Sequence, residues 1–169
     1  MRIVHLLALT LLVLHCYAQP PSMRPKKSGS NGSAVTSLDV YNFHAEVSNA
    51  NEAWLVKISS SMCGTCQQFA PTWASVVQTF GAQINMGTIE MDSADAMKLA
   101  QQLGVLSKGV PQLVFYGDVN DVNAKTLMAG HALGHSDVSA MLHDELQALE
   151  KAASGKALKA GAGARDAEL

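Results

Sequence analysis

The chain has 169 residues, of which 48% are hydrophobic and 15% charged, and this apolar content excludes a wholly disordered protein. Its formal net charge is −2, whereas nucleic-acid-binding proteins normally carry a basic excess, so no nucleic-acid partner is expected. Three cysteines are too few for a small domain held together mainly by disulfides.

The beginning of the chain is typical of a secretory signal peptide. A positively charged start is followed by an almost wholly apolar run over residues 3–14 and by small residues before the predicted cleavage site after Ala18. The run is too short for a permanent membrane helix, which needs about 20 apolar residues, so we expect no stable membrane anchor. Cleavage would remove Cys16 and leave Cys63 and Cys66 in the mature chain.

Two further segments lie outside the predicted domain. Residues 19–33 are rich in Pro, Ser, Gly and Lys, which predicts a flexible linker, and Asn31 begins an N-glycosylation pattern there. Residues 152–169 are rich in Ala, Gly and Lys, which predicts a disordered tail or a frayed extension of the preceding helix. The final Glu168-Leu169 is similar to the end of an endoplasmic-reticulum retrieval signal, or it is a chance ending.

Residues 34–151 alternate between helical and strand patterns, which predicts one α/β domain with a central mixed β-sheet flanked by helices. The predicted order is helix, strand, helix, strand, helix, strand, strand, helix. The first four elements are predicted around Val40, Phe43 and Val47 after a Ser37 cap, at Trp54–Ile58, at Cys63–Phe80 ending at Gly81, and at Met86–Met91. The last four are predicted at Ala96–Leu103 after Ser93 or Asp92, at Leu113–Tyr116, at Lys125–Ala129, and at Val138–Leu149 after a Ser136 cap.

A Cys-x-x-Cys motif lies between the first predicted strand and the following helix. Unpaired N–H groups and the helix dipole at a helix start stabilise negative charge, which favours a thiolate at Cys63. Cys66 lies one turn further on, where it can resolve a mixed disulfide. Between them, Gly64 is expected to permit a tight turn with no side chain over the sulfurs, and Thr65 completes the motif.

A structural disulfide and a zinc site are the alternatives to redox chemistry for Cys63 and Cys66. A structural disulfide closing so short a loop would stabilise the fold only weakly. A zinc site needs four ligands, and the histidines form no second tight pair at a suitable position: His44, His131, His135 and His143. We therefore predict a redox-active pair, with no metal and no organic cofactor.

These residues resemble the thioredoxin superfamily, especially the catalytic domains of protein disulfide isomerases, over most of residues 34–151. The resemblance depends on the strand at Trp54–Ile58, on Cys63-Gly-Thr-Cys66, and on Pro71 five residues later. Gly109-Val110-Pro111 before a strand is similar to the family's cis-proline loop. The resemblance implies that Val110 and Pro111 line the groove that binds substrate peptides.

Four positions depart from the family pattern. Met62 stands where tryptophan is usual, beside the nucleophile, and the inner dipeptide Gly-Thr leaves the reduction potential open. Lys57 replaces a buried acid that accepts a proton from the second cysteine. It could be a neutral base, could be charged and stabilise a Cys66 thiolate, or could extend to water. His131 follows glycine where many isomerases have arginine. It could play a weaker, pH-sensitive version of that part, but we expect a solvated loop residue there.

The sequence therefore predicts a thiol–disulfide oxidoreductase of the secretory pathway, similar to protein disulfide isomerases, that acts on client polypeptides and exchanges electrons with a redox donor or acceptor. The alternative is a client-binding chaperone or adaptor module with little turnover. We expect a monomer in the lumen of the endoplasmic reticulum, or a secreted protein.

Overall fold

A computed structural model describes residues 35–48, 52–117 and 124–163, with side chains described as far as Ser154 in the last helix. It contains five β-strands and three α-helices in these residues. The strands are β1 (Thr36–Ser37), β2 (Trp54–Ser59), β3 (Asn85–Glu90), β4 (Gln112–Tyr116) and β5 (Lys125–Ala129). The helices are α1 (Gly64–Phe80), α2 (Ala94–Gln102) and α3 (His135–Gly163), with a short π-helix at His44–Ser48 and a 3₁₀-helix at Val105–Lys108.

The strands form one mixed sheet in the order β1-β3-β2-β4-β5, which confirms the predicted fold class. The central strand β2 pairs in parallel with β3 and antiparallel with β4, and β4 and β5 form an antiparallel pair. A parallel pair needs a crossover connection, and α1 supplies it between β2 and β3. The carboxyl end of β2 therefore leads directly into the start of α1.

Apolar side chains are buried on both faces of the sheet. Successive residues of a strand point to opposite faces, so Leu55 packs in one cluster while Val56 and Ile58 pack in the other. The first cluster includes buried residues of α1 and α3, such as Phe69 and Leu142. The second includes residues of α2 and of the segment after β1. Helices thus cover both faces, as the predicted architecture requires.

Two predicted helix caps are wrong. Ser37 lies in β1, where it pairs with Thr88 of β3, so it is not free to begin the next helix. Asp39 organises that turn instead, because its carboxylate accepts hydrogen bonds from the backbone N–H groups of Tyr41 and Asn42 at 2.8 and 3.3 Å. Ser136 is the second residue of α3 rather than its cap.

α3 also continues past the predicted domain end, as far as Gly163. Residues 152–163 are helical, so the helix extension rather than the disordered tail is confirmed for them. Alanine and lysine favour this conformation. The predicted signal peptide, the linker with Asn31, and the Glu168-Leu169 ending lie outside the described residues. Within the described part of the chain, no helix is both long enough and apolar enough to cross a lipid bilayer.

Candidate active site

The two cysteines lie at the start of α1. Cys63 is the N-cap of this helix, with extended backbone angles of φ −95° and ψ 111°, and its Sγ accepts a hydrogen bond from the backbone N–H of Cys66 at 3.1 Å. Cys66 lies in the first turn and is 7% exposed, whereas Cys63 is only partly buried. Both are free thiols in the structure. The accessible sulfur therefore also receives a helix N–H group, which favours Cys63 as the attacking residue.

The buried thiol has an altered acidity. Burial raises the pKa of the Cys66 thiol to about 11, and its hydrogen bond with the Cys63 side chain adds to this increase. A backbone hydrogen bond from Ser60 acts in the opposite direction, while the negative charge of Glu90 contributes a further increase. Cys66 is therefore protonated at neutral pH, and it must lose a proton before it can attack a mixed disulfide.

The predicted proline loop lies against the nucleophile. The thiol of Cys63 donates to the backbone carbonyl of Val110, with Sγ and O 3.6 Å apart. The Val110–Pro111 peptide bond is cis, as the resemblance implied. Pro111 is buried and Val110 is half-buried. The structure thus brings together Cys63 and the candidate substrate loop, which are 47 residues apart in the sequence.

Met62 forms an exposed apolar surface next to this contact. Its side chain is 90% exposed although it is large and apolar, and it immediately precedes Cys63. Methionine is flexible and polarizable and packs well on varied apolar surfaces. This position therefore offers an apolar contact surface next to Cys63.

Lys57 forms an ion pair behind the first turn of α1. Its Nζ lies 3.0 Å from Oε1 of Glu90, and its side chain is 15% exposed. The same Nζ lies 5.9 Å from the centre of the Trp73 ring. Of the three alternatives for this lysine, extension into water is not what the structure shows, because the Nζ atom lies in an ion pair with Glu90.

Glu90 is held by residues of two neighbouring strands. Ser59 Oγ donates to both of its carboxylate oxygens at 2.8 and 2.9 Å, and Thr88 Oγ1 donates at 2.9 Å. Burial raises the pKa of the Glu90 carboxyl group, but hydrogen bonds from Lys57 and Ser59 and the positive charge of Lys57 outweigh that effect, so the pKa is lowered overall. The site therefore contains a carboxylate, supplied by β3 rather than by the Lys57 position of β2.

A second carboxylate of the same region holds the loop before the nucleophile. Asp92 accepts a hydrogen bond from Ser60 Oγ at 2.7 Å and from the backbone N–H of Ser61 at 2.8 Å. Ser60 Oγ in turn accepts from the backbone N–H of Met62 at 3.2 Å. These hydrogen bonds lower the pKa of the Asp92 carboxyl group. The loop leading to Cys63 is thus fastened to the end of β3.

The remaining candidate residues take no part in the contacts described above. Gly64 has no positive φ, and a Cβ added there would meet no atom within 4 Å, so neither backbone conformation nor crowding requires glycine. Thr65 is half-buried in the first turn of α1. His131 is exposed, and its Nδ1 lies 2.8 Å from the carbonyl oxygen of Ala129. Among the residues that the structure describes, no three His, Cys, Asp or Glu side chains come together as a metal site.

Glu90, Gln112 and Asp92 were not predicted as residues of the site. Glu90 is the last residue of a strand in which half of the residues are buried, and Gln112 is a fully buried polar residue at the start of β4. A polar residue at the end of a predicted strand was the available signal. Their partners could not be inferred because they depend on strand register and on a loop conformation.

The sequence of this chain is similar to those of known proteins. The family model described as Thioredoxin matches residues 34–133. Protein disulfide-isomerase A6 of Mesocricetus auratus is 28% identical over 127 residues, covering 75% of this chain and 28% of that protein. Protein disulfide-isomerase 2-3 of Arabidopsis thaliana is 24% identical over 100 residues, covering 59% of this chain and 22% of that protein.

A solved structure supports the fold. The crystal structure of the Malassezia sympodialis thioredoxin is similar with a TM-score of 0.54 and 17% sequence identity, covering 68% of this chain and 91% of that one. At this identity the likeness concerns the fold alone. The chain spans about a quarter of the length of the curated relatives it matches, at 28% and 22%.

Proposed function

Since this chain belongs to the thioredoxin family, with a domain similar to those of protein disulfide isomerases, we propose that it is a thiol–disulfide oxidoreductase of the secretory pathway that acts on client proteins. The observation that carries the proposal is the position of Cys63. Its partly exposed sulfur caps a helix, receives the Cys66 N–H group and faces the Val110 carbonyl. This arrangement suits a thiolate that meets a peptide disulfide.

The reaction needs only Cys63 and Cys66. The Cys63 thiolate attacks one sulfur of a client disulfide, which forms a Cys63–client mixed disulfide and releases the other client sulfur as a thiolate that takes up a proton. Cys66 then gives up its proton to water, and its thiolate attacks the Cys63 sulfur, which breaks the Cys63–client bond and releases the second client sulfur as a thiolate that takes up a proton. The products are a Cys63–Cys66 disulfide and a reduced client, and the reverse sequence oxidises a client. No metal or organic cofactor is part of this proposal.

Client recognition would use the surface around the nucleophile. An extended client segment can pair with accessible backbone as an added strand, and the half-buried Val110, which precedes the buried Pro111, offers such backbone beside Cys63. Met62 would add an apolar contact from the other side of the sulfur. The proposed partners are unfolded or partly folded polypeptides and a redox donor or acceptor. We propose that the protein binds them as a monomer.

Refolding of a protein with scrambled disulfides tests the proposed activity. We expect the wild-type chain to accelerate recovery of the native client in a glutathione buffer. Cys63→Ser should abolish that acceleration because it removes the attacking sulfur, whereas Cys66→Ser should accumulate the mixed disulfide. An equal rate for the wild type and Cys63→Ser would contradict the proposal.

A client-binding module with little turnover is the second candidate, and the Lys57 position favours it because β2 supplies a cation where the family pattern has an acid. The same experiment separates the two functions. Client binding measured by fluorescence anisotropy, without catalysis by the wild type, would support the module.

The proposed location is the lumen of the endoplasmic reticulum, with secretion as the alternative. Support comes from the predicted signal peptide and from the Glu168-Leu169 ending. Expression with and without residues 165–169 tests retention. Secretion of only the shortened chain would support a retrieval role for the ending, and equal secretion of both would contradict it.

A further inference from the structure

Gln112 is a fully buried polar residue directly after Pro111. It is the first residue of β4 and is 0% exposed. Its side chain reaches back along the chain, and its Nε2 donates hydrogen bonds to the carbonyl oxygens of Val105 and, at 2.7 Å, of Gly109. One carboxamide thus connects the beginning of the 3₁₀-helix with the residue that follows its end.

Burial alone does not account for glutamine at this position. Its Oε1 has no hydrogen-bond partner, so the side chain bears part of the cost of removing a polar group from water. The next three residues of β4 are apolar and buried, and an apolar side chain at position 112 would avoid that cost. The specific contribution of Gln112 is therefore its pair of hydrogen bonds.

Those hydrogen bonds lie next to the contact with the nucleophile. Gly109 immediately precedes Val110, whose carbonyl receives the Cys63 thiol at 3.6 Å. On the other side, the Pro111 carbonyl accepts from the backbone N–H of Gly130 in the segment after β5, at 3.0 Å. Gln112 therefore fixes the loop before Val110, and Gly130 fixes it after Pro111.

The loop has one additional, exposed attachment. Lys108 Nζ donates to Thr126 Oγ1 of β5 at 3.0 Å. Close packing on the same side supports this arrangement, because a Cβ added at Gly130 would lie 3.1 Å from the Lys108 carbonyl oxygen. The loop is thus attached to β4 from inside and to β5 from outside.

We propose that Gln112 is a positioning residue for disulfide exchange, whose carboxamide holds the loop of residues 105–110 so that the Val110 backbone faces Cys63 and is ready to bind a client chain. This inference rests on the proposed function. A purely structural role would lower folding stability without a selective effect on client peptides, and the two roles can be separated by comparing a peptide with a small reagent.

The variant Gln112→Met removes both donors and keeps a side chain of similar length. We expect kcat/KM for reduction of a disulfide-linked peptide to fall about tenfold, mainly through a higher KM, because a loop that moves by a fraction of an ångström binds the peptide poorly. Alkylation of Cys63 by iodoacetamide should change less than about twofold, since this small reagent does not need the loop.

Leu142→Val is the matched control, because Leu142 is fully buried on α3 and should lower stability without altering the ratio of the two rates. Unchanged peptide kinetics in a folded Gln112→Met protein would overturn the inference.

If Gln112→Met does not fold, Lys108→Met and Thr126→Val decide the matter, because each breaks the exposed attachment of the same loop. A rise in the peptide KM in both supports the inference, and wild-type peptide kinetics in both overturn it. A wild-type chain without peptide turnover would instead contradict the proposed function itself.

Discussion

At the scale of single residues, the acidity of Cys66 depends first on its burial and also on the negative charge of Glu90, which is paired with Lys57. Lys57 belongs to β2 and Glu90 to β3, and the parallel register places Lys57 opposite Thr88 and Ser59 opposite Glu90. Side chains two residues apart in a strand share a face, so these four residues lie together on the side covered by α1. The negative charge of Glu90 helps to raise the Cys66 pKa. The ion pair is thus placed to adjust the resolving step.

Charge removal on either side of this pair should have opposite effects on resolution. Glu90→Gln leaves the Lys57 cation uncompensated, which should lower the Cys66 pKa. For each unit by which that pKa falls, the thiolate fraction at pH 7 rises about tenfold, and the accompanying loss of nucleophilicity reduces the gain in rate to about threefold. Lys57→Ala should instead slow resolution. Stopped-flow decay of a mixed disulfide between Cys63 and a fluorescent peptide measures both rates.

Glu145→Gln is the control for that experiment. It removes the same charge from the Lys125–Glu145 ion pair, which belongs to β5 and α3. We expect it to leave the decay rate unchanged. If Glu90→Gln and Lys57→Ala shift the rate in the same direction, or if neither shifts it, the pair does not adjust the acidity of Cys66.

At the scale of elements, β3 approaches its neighbours closely because it contains Gly87. A Cβ at this position would overlap Cδ1 of Leu38 and lie 3.4 Å from Cε3 of Trp54. Both neighbours belong to the same buried cluster, and Leu38 is only 1% exposed. The side chain of Leu38 therefore packs in the space that glycine leaves over the strand.

Gly87→Ala should destabilise the domain by overpacking. Added methyl groups in a closely packed core cost about 1–3 kcal/mol, and Leu38 has little room to move. Urea unfolding followed by tryptophan fluorescence measures the change. Gly64→Ala is the stability control, because its Cβ would meet open space, and we expect a change below about 0.5 kcal/mol. Equal stability of Gly87→Ala and wild type would show that Leu38 relocates without cost.

Local sequence signals were sufficient for the elements that hold the cysteines. The apolar run of β2, the following helical periodicity and Gly81 as the last cap are all confirmed. They could be predicted because each depends on neighbouring residues alone. The Ser37 and Ser136 caps failed because strand pairing and an earlier helix start, which are decided by tertiary packing, took precedence.

At the scale of the whole molecule, the site is assembled from segments that are far apart in the sequence. The nucleophile lies between β2 and α1, the carboxylates at the end of β3, and the loop of Val110 before β4. The resemblance to a family predicted the first and the last of these. It could not predict Glu90, because this residue reaches Lys57 only through the parallel pairing of β2 and β3.

The two carboxylates at the end of β3 should also make global stability depend on pH. The pKa values of Glu90 and Asp92 are lowered in the folded protein from ordinary values of 4.5 and 3.8. Carboxyl groups with lowered folded-state pKa values stabilise the fold above their unfolded-state pKa, and this contribution is lost as the pH falls through the folded-state pKa. We therefore expect the contribution of these two groups to the free energy of unfolding to be constant above about pH 5.5 and to decrease progressively below that pH.

Urea unfolding at pH 7, 5, 4 and 3 measures this dependence, and neutral variants identify its source. Glu90→Gln and Asp92→Asn should each be less stable than wild type at pH 7, because they lose charge-assisted hydrogen bonds with Lys57 and Ser59 or with Ser60 and Ser61. Each should then lose less stability between pH 5 and pH 3, since the group that would be protonated is absent. Glu145→Gln provides the comparison for an ion pair elsewhere in the domain. Parallel pH profiles for wild type and both variants would mean that other carboxyl groups control acid unfolding. The carboxylates of Glu90 and Asp92 would then hold the loop before Cys63 without making the stability of the fold depend on their protonation.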